Sequence, residues 1–551
     1  MSRRRKASPT PAPRERPLWP PRRVFVGLAS LAAATAMVCM GLLEPLVGGI
    51  VDAAVRNIIT LILGFSAAMS VLFWFLFESG HTAGLKRVVG LGLMALVGLL
   101  CAALRVERVS GDLVPQLTFR WTAARDRLLP QAVPAAIAVG AAAWTETPED
   151  FPRFLGPAGS GSLNGPALDP DWNARPPKRL WRRPIGAGWS GFAICGDHAV
   201  TLEQRGDEEI ISCQAVPTGD VEWTVSVPGR HETVLGGVGP RSTPTIVGGV
   251  VYATGATGWL HAIDGATGRV LWKKNVLDDL GIDAAVHAAA VAWGRAGSPL
   301  VTESLVIVPG GGPRKDGSFV SLVAYDRATG KRRWTGGDQQ ISYDSPEMVP
   351  WDGREVVLTV NESNVTGHDP ADGRELWRFD WSGHSNSDAT CSQAHVLDGG
   401  RVFISKGYGV GAAVFVREPG DSASFKPVWQ QPGVLKTKFT NVVIHGGHAY
   451  GLSDGILECV SLADGRRRWK GGRYGQGQVL RVGGLLLVQA ESGEVVLVEC
   501  VPEKHVVRSR LAAIEGQTWN TLSLSGDRLL VRNAEEAACY KLPLATANAT
   551  P

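Results

Sequence analysis

Eight side chains, Trp189, Arg241, Arg295, Tyr343, Asp344, Lys438, Tyr474 and Trp519, stand at or beside the points where β-structure is predicted to begin in successive repeats of this chain. Their settings include GWS at 188–190, PRSTP at 240–244, GRAGSP at 294–299, YDSP at 343–346, KFTN at 438–441, GQGQ at 475–478 and WNT at 519–521. If these strand starts converge, aromatic, cationic and acidic groups gather at one mouth and form a candidate ligand-binding ring. The plainer alternative is that Ser/Thr-Pro only shapes each strand start while the large side chains fill space.

A second group lies in TLEQRGDEEI at 201–210, where Glu203, Arg205, Asp207, Glu208 and Glu209 crowd a turn around Gly206. Glu203 and Glu208 could hold a cation or act as acid and base. A solvated hairpin loop with internal ion pairs, each worth little, needs no such role. Gly310, Gly311 and Gly312 followed by Arg314 and Lys315 lack the helix that gives a phosphate loop its N-terminus, and read as a long loop. His198, His231, His261, His368, His384 and His395 show no HExxH or paired ligand spacing. No CxxC, CxxCH or adjacent Cys pair occurs among the eight cysteines, so neither a metal site nor covalent haem is expected. No catalytic residue is assigned.

The elements that must position these residues are written in a degenerate repeat. CQAVPTGDVEW at 213–223, AIDGATGRVLW at 262–272, AYDRATGKRRW at 324–334, GHDPADGRELW at 367–377 and CVSLADGRRRW at 459–469 share a small residue, a Thr-Gly or Asp-Gly, and a Trp four residues beyond the Gly. That spacing predicts a β-hairpin: the small residue on a buried strand, the Gly supplying positive φ, and the Trp on the returning strand covering the next unit. Cys213, Cys459, Cys500 and Cys539 are expected at the small-residue position that Ala262 and Ala324 fill. Repetition every ~40–60 residues without helical periodicity predicts propeller blades of four strands. KRLWRRP at 178–184 is an orphan outer strand, and the chain ends just after Cys539 at what would be a third strand. The N-terminal strand is therefore expected to complete the last blade and close an eight-bladed ring.

Of 18 Trp, fourteen fall at or after residue 172, and with 67 Gly they suit repeated hairpins. The net charge of +4 is local: residues 1–23 hold eight Lys/Arg against one acid, leaving 48 basic and 51 acidic groups in the rest. That balance does not suggest a nucleic-acid-binding surface. Residues 1–23 read as a basic, Pro-rich cytoplasmic tail, followed by three membrane spans at about 24–43, 58–77 and 88–104. The positive-inside rule places the N-terminus in the cytoplasm and everything after residue 104 outside, so an inner-membrane, multi-pass protein with a periplasmic propeller is expected. Asp52 and Arg56 are expected in the outer loop. Residues 105–150 read as a linker, including the apolar, Pro-containing stretch 128–144, whose insertion as a fourth span is the alternative. Residues 151–178 form a lead-in, 179–544 the propeller and 545–551 a tail.

The A-x-D-x-x-T-G-x-x-x-W repeat, over roughly 179–544, resembles the PQQ-like repeat of quinoprotein dehydrogenases and of the outer-membrane assembly lipoprotein BamB. FPRFLGPAGSG at 151–161 is similar to the lead-in of many membrane-anchored members. The resemblance implies an eight-bladed, all-β propeller in the cell envelope and does not separate enzyme from binding module. The leading expectation is a non-catalytic binding or scaffolding propeller with protein or peptide partners and no cofactor; a small-molecule ligand in the axial funnel stays open. The alternative is a membrane-bound PQQ-dependent dehydrogenase passing electrons to membrane quinone, which needs an aromatic floor, a calcium held by carboxylate and amide oxygens, and a basic Asp. Trp259 or Trp293 could be that floor and Asp344 that base, though no set of Asp, Glu and Asn matches a transferable motif.

Overall fold

The structure, a computed structural model, describes residues 16–40, 42, 52–130, 144–418 and 424–545. The expectations for residues 1–15, for most of the apolar stretch 128–144, and for the tail beyond 545 lie outside the described residues. Two compact units emerge: one contains the apolar helices with Ala53–Glu107 and Gln116–Thr122, the other Asp52, Arg108–Pro115 and the chain from Ala123 onward.

In the first unit, α1 (Arg22–Cys39), α2 (Ala53–Phe73, continued by a π-helical turn at Trp74–Glu78) and α3 (Ala83–Ala103) are long and apolar enough to cross a membrane. Each begins two to five residues earlier than hydropathy alone predicts, because Arg22, Arg23, Arg56, Lys86 and Arg87 lie within the first turns. Long cationic side chains at helix ends can keep their heads in polar surroundings while their stems stay apolar. Lys86 does so by donating to the Ser79 carbonyl at 2.7 Å, and Thr82 caps α3 by accepting from the Leu85 N–H. The stretch read as linker is not featureless: Leu104–Val109 and Pro115–Phe119 pair as a hairpin, and Arg125–Leu128 makes one helical turn.

The second unit is an eight-bladed propeller. Its sheets run 193–228, 245–275, 300–336, 347–380, 395–431, 442–473 and 478–512, which we number blades 1 to 7, and 523–541, which is blade 8. Strands within each blade follow chain order from axis to rim. Blade 8 takes its fourth strand from Lys178–Pro184, which pairs antiparallel with Glu536–Lys541 and sets Trp181 opposite Cys539. The ring thus closes with strands from both ends of the domain.

The repeat motif builds the contacts between blades. The small residue faces the Trp across the outer pair of strands: Cys213 opposite Trp223, Ala262 opposite Trp272, Ala324 opposite Trp334, Gly367 opposite Trp377 and Cys459 opposite Trp469. Trp377 Nε1 makes no hydrogen bond among the described residues, but each of the other indoles reaches the following blade's outer turn. Trp181 donates to the Val216 carbonyl at 2.7 Å, Trp223 to Gly265 at 2.7 Å, Trp272 to Arg327 at 2.9 Å, Trp429 to Leu462 at 2.9 Å and Trp469 to Val501 at 2.9 Å. The motif Gly of that next blade lies under the ring: a Cβ on Gly219 would sit 2.6 Å from Trp181, on Gly268 2.8 Å from Trp223, and on Gly330 2.7 Å from Trp272. The glycine is needed twice, for positive φ and for the indole above it.

Blade 7 departs from the pattern, because Ser509 occupies the Trp position opposite Leu497. Ser509 Oγ accepts from the Trp172 N–H and donates to the Pro170 carbonyl, so the buried Trp172 of the lead-in joins the core there instead. Cys500 is not at the small-residue position, which Leu497 fills. It lies just past the strand, in a core shared with Tyr450 and Cys459.

At the axis, one blade's first strand caps the next. Thr243 Oγ1 accepts from Gly191 N–H, Ser298 Oγ from Thr243 N–H, Ser345 Oγ from Ser298 N–H, Gln393 Oε1 from Ser345 N–H and Asn441 Oδ1 from Gln393 N–H, all at 2.8–3.1 Å. Gln478 donates to the Phe439 and Trp519 carbonyls, and Asn520 to those of Gly188 and Ser190, completing the circle. The lead-in crosses one end of the channel: Phe151 bridges Ile194, Pro152 accepts from Ile246, Arg153 lies 3.9 Å from Glu347, and Ser162–Leu163 adds a parallel strand to blade 7.

Gly206 and Gly268 both have positive φ, +55° and +70°, but nothing lies within 4 Å of a Cβ on Gly206. Gly206→Ala is expected to cost about 1 kcal/mol through backbone strain alone. Gly268→Ala is expected to cost a further ~1–3 kcal/mol by pushing Trp223 from its seat. Urea unfolding of the two variants checks the difference.

Candidate functional site

The strand starts do converge at the end of the channel away from the lead-in, but only part of the expected ring faces the opening. Trp189, Trp519 and Phe439 form an aromatic arc from blades 1, 8 and 6, with centroids 4.7 and 4.6 Å apart. Trp189 is held by its indole N–H on the Gly236 carbonyl at 2.7 Å. Across the mouth Tyr343 stacks on Trp293 at 5.1 Å, accepts from the Trp293 backbone N–H and donates to the Ser385 carbonyl at 2.5 Å.

The cations are held by the protein itself. Arg241 donates to the Gly236 and Gly239 carbonyls of its own loop, and Arg295 to those of Pro309 and Gly310. Burial lowers each guanidinium to about 10. Asp344 is fully enclosed and accepts from the Val360 N–H at 2.7 Å; burial pushes its carboxyl up to about 8. It therefore holds a hairpin together as a neutral acid near pH 7. Tyr474 does not join the ring: its hydroxyl meets His505 Nε2 at 3.0 Å in the core between blades 6 and 7.

Sequence reasoning missed several residues of the mouth. Blade 5 contributes Cys391 and Tyr408, and the fully enclosed Lys406 donates to the Ser382 carbonyl and to Asp388 at 2.6 and 2.9 Å. The start TCSQ at 390–393 is the signal that could have found this blade, since its Gln393 takes the capping place of Ser345. Glu491 is the hub of the opposite side: its carboxylate accepts from Trp519 Nε1 at 3.0 Å, from Gln476 N–H at 2.9 Å and from Gly111 N–H at 2.8 Å.

Gly111 belongs to Arg108–Pro115, which clusters with the propeller. This segment fills the mouth beside blades 6 to 8. Lys438 donates to the Gly111 carbonyl at 3.3 Å, Gln517 to the Val109 carbonyl at 2.8 Å, and Arg108 pairs with Glu535 at 2.7 Å. Lys438 is also 3.1 Å from Asp52, which places Asp52 against this rim. Burial raises the Asp112 carboxyl, opposed by the Lys438 charge.

In the acidic hairpin Glu203, Glu209 and Asp207 turn to partners within the protein. Glu203 accepts from the Gly186 N–H and is neutralised by Arg205 at 2.9 Å, whose strand position is opposite Glu208. Glu209 turns to the next blade, accepting from Ala256 N–H and Thr257 Oγ1 at 2.8 Å each, and burial raises its carboxyl. Asp207 pairs with Arg127 at 2.8 Å. Trp259 stands away from the channel, near His261 and under Lys273, whose ammonium is 5.3 Å from the ring. Elsewhere in blade 1, however, His198, Cys213 and Glu222 meet, with all three donor atoms within 4.8 Å of one another.

Two outcomes test the mouth. A carboxyl whose folded pKa is raised binds protons in the folded state that the unfolded chain has lost, so stability falls as pH rises from about 4 to 8. Asp344→Asn is expected to flatten that fall and to be more stable than wild type at pH 8 and above, by urea unfolding. Burial also lifts Glu347, to about 7, so part of the slope survives. A Cβ on Gly111 would overlap the Gln476 side chain, so Gly111→Val should dislodge the segment and speed tryptic cleavage after Arg108.

On the other face, the turns of blades 4 and 5 enclose a groove of about 1070 Å³ lined by Pro350, Trp351, Asp352, His395, Asp398 and Arg417.

Comparison with known proteins agrees with this architecture. The family model described as outer membrane protein assembly factor BamB matches residues 206–471. The chain is similar to quinohemoprotein alcohol dehydrogenase ADH-IIG of Pseudomonas putida, at 31% identity over 152 residues, covering 26% of this chain and 19% of that protein. It is also similar to tetrathionate hydrolase of Acidithiobacillus ferrooxidans, at 21% over 246 residues, covering 43% and 45%. The chain thus spans less than half the length of either curated relative. Among solved structures, a europium-containing methanol dehydrogenase superposes with a TM-score of 0.54 at 11% identity, covering 72% of this chain and 98% of that one. Repeat, ring closure and family match together identify the chain as a PQQ-like repeat β-propeller protein.

Proposed function

We propose that the propeller is a non-catalytic binding and scaffolding module, anchored by α1–α3 at the outer face of the inner membrane, with its N-terminus cytoplasmic and protein or peptide partners in the cell envelope. One observation carries this reading: the axial mouth is spent on the protein's own backbone. Arg241, Arg295, Asp344, Lys438 and Glu491 are all engaged internally, and Arg108–Pro115 fills one side of the opening. A quinone cofactor with calcium fits these residues poorly, because Asp344 is neutral and committed to Val360, one face of Trp293 is covered by Tyr343, and Trp259 is away from the axis. The groove between blades 4 and 5 supports capture of an extended segment by its volume and by charges of both signs at its rim. The eight Lys/Arg of residues 1–23, at and before the start of α1, support the orientation.

The test uses the full chain in membranes. A photoreactive residue at Pro350 or Asp398 is expected to trap a discrete envelope protein, and added pyrroloquinoline quinone with calcium to give no saturable absorbance change. Saturable cofactor binding with alcohol- or sugar-dependent dye reduction would instead establish the dehydrogenase.

A further inference from the structure

The His198, Cys213 and Glu222 cluster belongs to no part of the mouth or the groove. It is assembled by three adjacent strands of blade 1: His198 opens the second strand, Cys213 lies in the third and Glu222 in the fourth. His198 Nδ1 is 2.7 Å from Glu222 Oε2, and Cys213 Sγ donates to the same oxygen at 3.2 Å. The His198 ring is fixed by Trp144, stacked on it at 4.6 Å with an interplanar angle of 9°.

From this geometry we infer that His198, Cys213 and Glu222 form a binding site for a zinc-class divalent cation. The donor set is one imidazole, one thiolate and one carboxylate, three protein ligands with a fourth position left for water. Sulfur selects against calcium and magnesium, which take oxygen. Ligand atoms this close need only small rotamer adjustments to sit around an ion at ~2.0–2.3 Å. A thiolate, a carboxylate and a neutral imidazole carry two negative charges, which a divalent ion balances.

Three further observations favour a ligand here over a chance contact. Among the described residues Glu222 has no Lys or Arg ion-pair partner, so its half-buried charge meets only the imidazole and the thiol. The thiol is not needed for packing, because Ala262, Ala324 and Gly367 fill the equivalent place in blades 2 to 4. His198 and Glu222 are each about a third exposed, at 32%, while Cys213 is enclosed, so an ion can enter from solvent and reach the sulfur at the bottom. Binding replaces the S–H bond by a metal–sulfur bond, and the proton leaves to solvent.

Cobalt is the optical probe. The purified full chain, stripped with chelator and titrated with Co²⁺, is expected to take one equivalent with release of one proton, giving a near-ultraviolet thiolate-to-cobalt charge-transfer band and visible bands of tetrahedral intensity that Zn²⁺ then displaces. Cys213→Ala, which copies the residue of blades 2 and 3, should abolish the charge-transfer band with the far-ultraviolet circular dichroism unchanged, and Cys459→Ala should leave the band intact. The partly exposed Glu222→Gln provides a second variant, expected to weaken Co²⁺ binding at least tenfold. Absence of the band at stoichiometric Co²⁺, or a band that persists in Cys213→Ala, overturns the site.

Discussion

The ring depends on a circular set of hydrogen bonds in which the first strand of each blade is capped by a side chain of its neighbour. Backbone N–H groups beside a narrow axis are shut off from water, and each one left unpaired would cost about 1–3 kcal/mol. Thr243, Ser298, Ser345, Gln393 and Asn441 supply the acceptors in turn. Gln478 and Asn520 pair the carbonyls that remain, and Asn520 links blade 8 back to blade 1. The constraint is cyclic, so the spacing of any one blade is set by all the others. The rim is held by a different device, indoles such as Trp181, Trp223 and Trp272 hydrogen-bonded to the next blade's turn above a glycine. Inner polar bonds fix register, and outer apolar contacts supply most of the burial.

Both ends of the channel are governed by this closure. A ring whose axial groups are already paired offers few free donors or acceptors at its centre. The chain uses that enclosed space for its own segments: the lead-in at one end, Arg108–Pro115 at the other. Glu491 marks the consequence, since one carboxylate fixes its own blade, Trp519 of the next, and Gly111. The groove formed by turns and the His198, Cys213 and Glu222 cluster of blade 1 both lie outside the axial hydrogen-bond ring.

Particular residues show where a linear reading succeeds. A Gly followed four residues later by Trp is a local signal, because strand alternation and a tight turn set both positions, and the Trp-to-next-blade contact follows from it. Cys500 shows the limit: counting from a degenerate motif placed it on the buried strand position, whereas the register puts Leu497 there. Ser509 shows another, since the missing Trp of blade 7 is compensated by Trp172, more than three hundred residues away.

The amino-acid sequence alone determined the apolar helices, the eight-fold repeat and the closing strand, because hydropathy and hairpin spacing are properties of neighbouring residues. Only the tertiary structure decided which polar residues meet. Tyr474 and Arg295 occupy the same kind of strand start as Trp189 and Trp519, yet their side chains turn into the protein. Glu491 and Lys406 come from the hairpins between second and third strands, which no motif marks. His198, Cys213 and Glu222 are fifteen and nine residues apart, spacings without meaning on a helix, and become neighbours only because three antiparallel strands lie side by side. Pairing across strands depends on register, and register is set by the closed ring as a whole.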